Sequence, residues 1–261
     1  MRPGSLRLYT DLAWLWPLWG DHETEYADYS AHVAGLVLQH ARRPVESLLV
    51  ISCGSGKNVF NLKRQFKVVG LDLSPTMLEL AAELNPDCEF VVGDMCSFDL
   101  GRRFDAILLD DGVSHMTARA DLAAAFLAAF QHLEPGGVMI VTPDVTRENF
   151  VQNRTGVEHA TGTGARADVD VVFVENVYDP DPDDEHYEAT MVYLIRERGV
   201  LRVETDRCEL GLFAIVDWRA CLAEAGFLVE EAHYRQDDTD YINFICSKPL
   251  DPAGFAGAGG P

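Results

Sequence analysis

The sequence predicts a doubly wound α/β fold with a small antiparallel β insert. Three observations carry this expectation. Short β-branched runs alternate with helical periodicity between residues 47 and 142; a glycine turn joins the first run to the helix after it; and beyond residue 143 the apolar period becomes two, with no helix between the runs.

The elements follow in order. From Glu23 to Arg43 the residues Tyr26, Tyr29, Val33, Leu36, Val37 and His40 recur at helical spacing, with acidic residues opposite, as in an amphipathic helix. Ser47 to Ser52 is a first strand, followed by the turn Cys53 to Gly56 and a helix from Lys57 to Phe66. A second strand, Lys67 to Asp72, leads to Ser74 as a cap and Pro75 in the first turn of a helix ending near Asn85. Cys88 to Gly93 and Phe104 to Leu109 are strands three and four. A helix from Ala118 to Leu133 is stopped by Glu134 to Gly137, and a fifth strand spans Val138 to Thr142. Only helical crossovers return a strand in the same direction, so these strands are expected to be parallel. Then come three period-2 segments, Val169 to Tyr178, Tyr187 to Ile195 and Val200 to Leu210, separated by the acidic turn Asp179 to Asp184 and by Gly199. A helix from Asp217 to Ala225 stops at Gly226, and Phe227 to Tyr234 with Tyr241 to Ser247 flank a polar loop as an antiparallel pair would.

With 261 residues, 48% hydrophobic and 24% charged, the chain is expected to form one domain with an elaboration. It carries 42 Asp plus Glu against 21 Lys plus Arg, a net charge of −21, with no local basic patch. A field of that sign repels polyanions, so nucleic acid and anionic membranes are excluded as partners; small neutral or cationic molecules are favoured. The six cysteines have no CxxC pair and no metal-ligand rhythm, so no metal site is expected. The apolar run Leu12 to Trp19 is short and broken by Pro17, and no segment reaches membrane-spanning length. A cytoplasmic protein is expected.

Gly54 and Gly56 lie between the first strand and its helix, where backbone without Cβ lets a ligand approach free N–H groups. The second strand ends in Asp72, placed to accept both hydroxyls of an adenosine ribose; its other reading is a turn or capping aspartate. Asp94, after strand three, can accept from an adenine amino group, or form a plain Gly-Asp turn. A dinucleotide turn requires a third glycine, where this chain has Val59, and Lys57 follows the second. An NAD-type oxidoreductase is therefore the second choice.

The motifs VISCGSG (Val50 to Gly56), VGLDLSPTML (Val69 to Leu78), Gly93-Asp94-Met95, FDAILL (Phe104 to Leu109) and LEPGG (Leu133 to Gly137) together resemble the class I S-adenosylmethionine-dependent methyltransferases. More loosely, the N-terminal helix, the insert and Leu210 to Phe213 resemble the bacterial glycine-type and amino-sugar N-methyltransferases of secondary metabolism. The resemblance implies a Rossmann-like seven-stranded sheet with a reversed last strand. It implies a small-molecule methyltransferase acting on an amine or hydroxyl, with S-adenosyl-L-methionine as donor and S-adenosyl-L-homocysteine as product. The implied plan is an N-terminal helical lid at 1–46, a cofactor-binding core at 47–142, an antiparallel insert at 143–215, a closing helix and strand pair at 216–249, and a disordered tail at 250–261. It implies cofactor contacts from Tyr9, Cys53, Gly54, Gly56, Asp72, Leu73, Met77, Asp94, Met95 and Asp110. The family usually carries Asp or Glu at Val50 and Gly at Ser52. Asp110, a backbone carbonyl or weaker binding are the replacements to consider at Val50, and a relative with the same cofactor fold but no methyl transfer is the other alternative.

Methyl transfer is an in-line displacement that rests on alignment, a water-poor pocket and a deprotonated nucleophile. The acceptor is expected beyond strand four, at Asp110 to Met116, with His115 and Asp110 as the catalytic candidates and Asp110 preferred over Asp111. The aromatic cluster Tyr9, Trp14, Trp16, Trp19, Tyr26 and Tyr29 suits a segment closing over adenosine and a cation, or a packed helix pair. The insert is expected to line the acceptor site, to form a homodimer contact through its exposed edges, or both.

Overall fold

A computed structural model describes residues 6–236 and 239–250. Apart from Leu250, the expected tail at 250–261 lies outside the described residues. Seven strands form the main sheet: β1 (Ser47–Ile51), β2 (Lys67–Asp72), β3 (Glu89–Val92), β4 (Phe104–Leu109), β5 (Leu133–Val141), β10 (Leu228–Gln236) and β11 (Thr239–Ser247). Their order is β10-β11-β5-β4-β1-β2-β3, and β11 runs antiparallel to both of its neighbours. This is the doubly wound sheet with a reversed last strand.

Helices α1 (Glu25–His40), α2 (Lys57–Leu62) and α3 (Pro75–Leu84) cover one face, and α4 (Arg119–His132) and α5 (Ile215–Glu224) the other. The strands of β1 and β4 are buried on both sides, so their residues alternate between two cores. Leu49 and Ile51 join the core under α4 and α5; Leu48 and Val50 join that under α1 and α2. Ser74 caps α3 by accepting the Met77 N–H, with Pro75 in the first turn.

The insert is a separate four-stranded antiparallel sheet, β6 (Thr155–Thr161), β7 (Val169–Tyr178), β8 (His186–Glu197) and β9 (Val200–Gly211). Strand β6 was not anticipated from the sequence. Six of its seven residues are exposed, so it shows no period-2 apolar pattern and exists through its ladder to β7. Two other expectations change. The stretch expected to stop the helix, Glu134 to Gly137, lies inside β5 at a register shift, with Phe104 paired to Leu133 and then Ala106 to Val138. The start of the chain forms two 3-10 turns, Arg7–Tyr9 and Ala13–Leu18, ahead of α1, the second containing Pro17. Leu6, Leu12 and Leu15 from this lid share a third core with Tyr187, Met191, Tyr193 and Cys208 of the insert. Lid and insert thereby form one roof above the carboxyl ends of the parallel strands. No helix of the described residues is long and apolar enough to cross a membrane.

Candidate active site

The glycine turn after β1 starts the site. Ser52, Gly54 and Gly56 all have positive φ, at 57°, 52° and 78°. At Gly56 a Cβ would also come within 2.7 Å of Asn85 Nδ2 and 3.1 Å of Ala81 Cα, so glycine here lets α2 sit against α3. At Gly112 a Cβ would fall 2.0 Å from Ser52 Oγ; the serine uses space the glycine leaves.

Asp72, at the tip of β2, accepts the Gly54 N–H on Oδ2 at 2.8 Å and the Ser74 N–H on Oδ1 at 2.9 Å. Burial raises its pKa while these N–H groups pull the other way, and each oxygen keeps a lone pair for a ligand. Asp94 Oδ1 accepts the Cys96 N–H at 2.9 Å in a turn after β3. These residues line one cleft of about 710 Å³, together with Leu73, Met77, Met95, Asp111, His115 and, from the lid, Tyr9 and Trp16.

The lid is tied to this cleft by side chains. Ser74 Oγ donates to the Tyr9 carbonyl at 2.6 Å, and the Tyr9 ring stacks on Trp16 with centroids 6.1 Å apart. Lys57, the first residue of α2, donates to the carbonyls of Trp16 and Trp19 and lies 5.1 Å from the Tyr26 ring centroid. Burial lowers its pKa to about 8. Tyr9 OH lies 3.1 Å from His115 Nε2. Burial lowers the His115 pKa to about 4 and raises that of Tyr9, so both groups are neutral near pH 7.

The two aspartates after β4 diverge. Asp110 accepts from Tyr29 OH at 2.7 Å and from Asn58 Nδ2 at 2.8 Å, which fastens α1 and α2 to the strand tip. The bond network continues from Tyr29 to Thr142 and from Thr142 to Asn243 of β11. Asp110 does not line the large cleft but opens on a lobe of about 200 Å³ with Tyr26, Tyr29, Asp144 and Tyr241. Asp111 borders that lobe, the large cleft, and a third space of about 300 Å³ roofed by lid and insert. Burial is the main cause that raises the pKa of both, and the Asp110 charge adds to the effect on Asp111.

The structure thus gathers Tyr9, Gly54, Asp72, Leu73, Met77, Asp94, Met95 and His115 around one cleft. Cys53, Gly56 and Asp110 stand behind it. Cys53 Sγ packs toward Gly70, and Gly56 sits in the α2–α3 contact. Val50 is buried in the core under α1 and α2, and Val59, at the missing third glycine, is fully buried in the same layer. Sequence reasoning did not single out Asp144, Glu158 and Glu175 of the roofed space, nor Ser74 and Lys57 as lid anchors. For Asp144 a signal existed: it follows the carboxyl end of a parallel strand, where ligands gather in such sheets. Glu158 and Glu175 lie on strands far along the chain, and nothing local marks them.

Residues 48–137 match the family model described as a methyltransferase domain. Over those residues the chain is thus similar to a methyltransferase domain. Over 149 residues it is 37% identical to the dTDP-3-amino-3,6-dideoxy-alpha-D-glucopyranose N,N-dimethyltransferase of Streptomyces fradiae, an alignment covering 54% of this chain and 58% of that protein. It is 29% identical over 214 residues to a dTDP-4-amino-2,3,4,6-tetradeoxy-D-glucose N,N-dimethyltransferase of Saccharopolyspora spinosa, covering 80% and 83% of the two chains. Among solved structures it superposes with TM-score 0.74 and 26% identity on the SAM-bound amino pentose methyltransferase CalS10 of Micromonospora echinaspora, over 91% of this chain and 95% of that one. In its alignment with the Streptomyces fradiae enzyme, the chain spans little more than half of that relative's length.

Proposed function

We propose that this protein transfers a methyl group from S-adenosylmethionine to the amino group of a small molecule, an amino sugar, in bacterial specialised metabolism. The observation that carries the reading is the meeting in one cleft of the Gly54 turn, the carboxylates Asp72 and Asp94 at successive strand tips, and the Tyr9–His115 pair, opening at Asp111 into a second space. The relatives named above act on amino sugars by their names. All six cysteines are free, which supports a cytoplasmic setting. The exposed Val200, Leu201 and Val203 of β9 support a homodimer through the insert.

The cleft fits the donor: its volume suits a nucleoside with an amino-acid tail, and Gly54 leaves backbone exposed beside Asp72 and Met77. Asp72 would hold the ribose hydroxyls, Asp94 the adenine amino group, and the Ser52–Gly54 backbone the methionine portion. The bound donor supplies a methyl group on a positively charged sulfur. Tyr9 and Trp16, held by Ser74 and Lys57, close over it and exclude water. His115, neutral and bonded to Tyr9, orients an amine rather than ionising it, because a neutral amine needs no strong base. Asp111 faces the place where the new ammonium charge develops.

The test is titration of S-adenosylhomocysteine by calorimetry. The wild-type protein binds it, and Asp72→Ala weakens binding by about tenfold or more, since charge-assisted hydrogen bonds are worth roughly 1.5–3 kcal/mol. Unchanged affinity in the variant refutes the Asp72 assignment. Absence of binding to the wild type refutes the methyltransferase activity.

A further inference from the structure

The large cleft and the space roofed by lid and insert meet at Tyr9, Trp16, Asp111, Gly112 and His115, which border both. Three of these belong to the short 3-10 turn Asp111–His115 that follows β4. Ser114, in the same turn, lines the roofed space but not the large cleft. It therefore stands beside the junction, on the side away from the Gly54 turn.

Ser114 is only 5% exposed, and its Oγ has no hydrogen-bond partner among the described residues. A serine in a helical turn ordinarily bonds back to a carbonyl three or four residues earlier; here that bond is not made. A buried hydroxyl left unpaired costs stability, so the fold itself has no use for it. Leu6, Leu8, Phe173, Met191 and Leu210 in the walls of the same space offer its side chain neither donor nor acceptor. The space holds a second such group, the indole N–H of Trp19, which is buried without an acceptor where the space adjoins the outer groove. A hydroxyl that can donate or accept, and an N–H that only donates, are matched together by an entering molecule rich in oxygen.

Resting on the methyltransferase reading above, we propose that Ser114 is a specificity-determining residue whose hydroxyl bonds a hydroxyl of the acceptor on a carbon flanking the one that carries the reacting amine. The acceptor is thus an amino sugar in which amine and hydroxyl are neighbours. Ser114 adjoins His115, which orients the amine, and both line the space, so the sugar group within its reach is one close to the amine. A site that bonds a substrate hydroxyl rejects the analogue lacking it, because its own buried group then stays unpaired.

The experiment titrates two dTDP-linked sugars into protein saturated with S-adenosylhomocysteine: 3-amino-3,6-dideoxyglucose, with hydroxyls on both carbons flanking the amine, and 4-amino-2,3,4,6-tetradeoxyglucose, with none on either. The nucleotide is common to both, so its charge cancels from the comparison. The wild type is expected to bind the first at least about tenfold more tightly. Ser114→Ala is expected to weaken the first by about tenfold and to leave the second, and S-adenosylhomocysteine, as in wild type. Because the lost hydroxyl has no partner in the fold, the urea midpoint of the variant is expected to equal or exceed that of the wild type. Failure of the first sugar to bind the wild type, tighter binding of the second, equal or absent effects of the variant on the two, or a lower urea midpoint overturns the proposal. Failure of S-adenosylhomocysteine itself to bind the wild type refutes the underlying reading instead, so the first titration tells the two failures apart.

Discussion

His115 shows how much of a residue's role is decided by its surroundings. In the sequence it is a histidine beyond a strand tip, open to service as a base; in the fold, burial presses its pKa to about 4, and it stays neutral where an ordinary histidine begins to charge. The sign follows from linkage. The unfolded chain takes up a proton below about pH 6.5 and the folded one does not, so stability falls as pH drops from about 6.5 toward 4. From pH 7 to pH 5 this contribution amounts to at most about 2 kcal/mol. The raised carboxyl groups Asp72, Asp110, Asp111 and Asp144 act in the opposite sense, adding stability on the acid side and losing it as pH rises, and they are common to wild type and variant. Urea denaturation of His115→Gln at both pH values should therefore show up to about 2 kcal/mol less acid destabilisation than wild type. Equal losses would mean that the imidazole is hydrated. The neighbouring aspartates carry the matching lesson for legibility. Two adjacent acids after a strand are indistinguishable by type and spacing. Only the turn of the backbone sends Asp110 to Tyr29 and Asn58, and leaves Asp111 facing the cavities.

At the scale of elements, what could be read in the chain was what is buried on both faces or punctuated by glycine and proline. Strands β2 and β4 match their expected bounds because each is a mainly apolar, buried run between breakers, and β7 matches through its alternating pattern. Strand β6 is invisible in the sequence because its stability comes from a neighbour, and the two 3-10 turns of the lid show no periodic pattern because their apolar residues serve the insert. Lys57 is the clearest case of a hidden function. It breaks a nucleotide-turn pattern in the sequence, yet as the first residue of α2 it holds the lid down through two carbonyls. Removing the ammonium leaves those carbonyls unpaired, at a cost of roughly 1–3 kcal/mol borne mainly by the closed lid. Lys57→Met is thus expected to weaken S-adenosylhomocysteine binding by about tenfold and to speed proteolytic cleavage between residues 6 and 20, while the far-ultraviolet circular dichroism stays as in wild type. Donor affinity and cleavage rate both unchanged would show that the lid is held by its core with the insert alone.

Across the whole molecule, the two sheets divide the work: the parallel sheet presents the proposed donor-binding residues at its strand tips, and the insert, joined to the lid by a shared core, walls a second space above it. The overall charge acts on that arrangement from a distance. With a net charge of −21 and carboxylates lining the roofed space, the proposed amine acceptor, which is protonated in bulk water and must shed that proton before it reacts, would be drawn toward the site before it makes any contact. Such steering depends on the range of the field, which is about 30 Å at 0.01 M salt and about 3 Å at 1 M. Contacts made inside a water-poor pocket are screened much less. Raising sodium chloride from about 20 to 500 mM at fixed pH should therefore lower kcat/KM for an amine acceptor several-fold through KM, with kcat nearly constant. A donor titration at both salt concentrations separates this from any effect on the first substrate. If kcat/KM proved indifferent to salt, the acidic surface would have no part in capturing the acceptor, and recognition would rest wholly on contacts within the chamber.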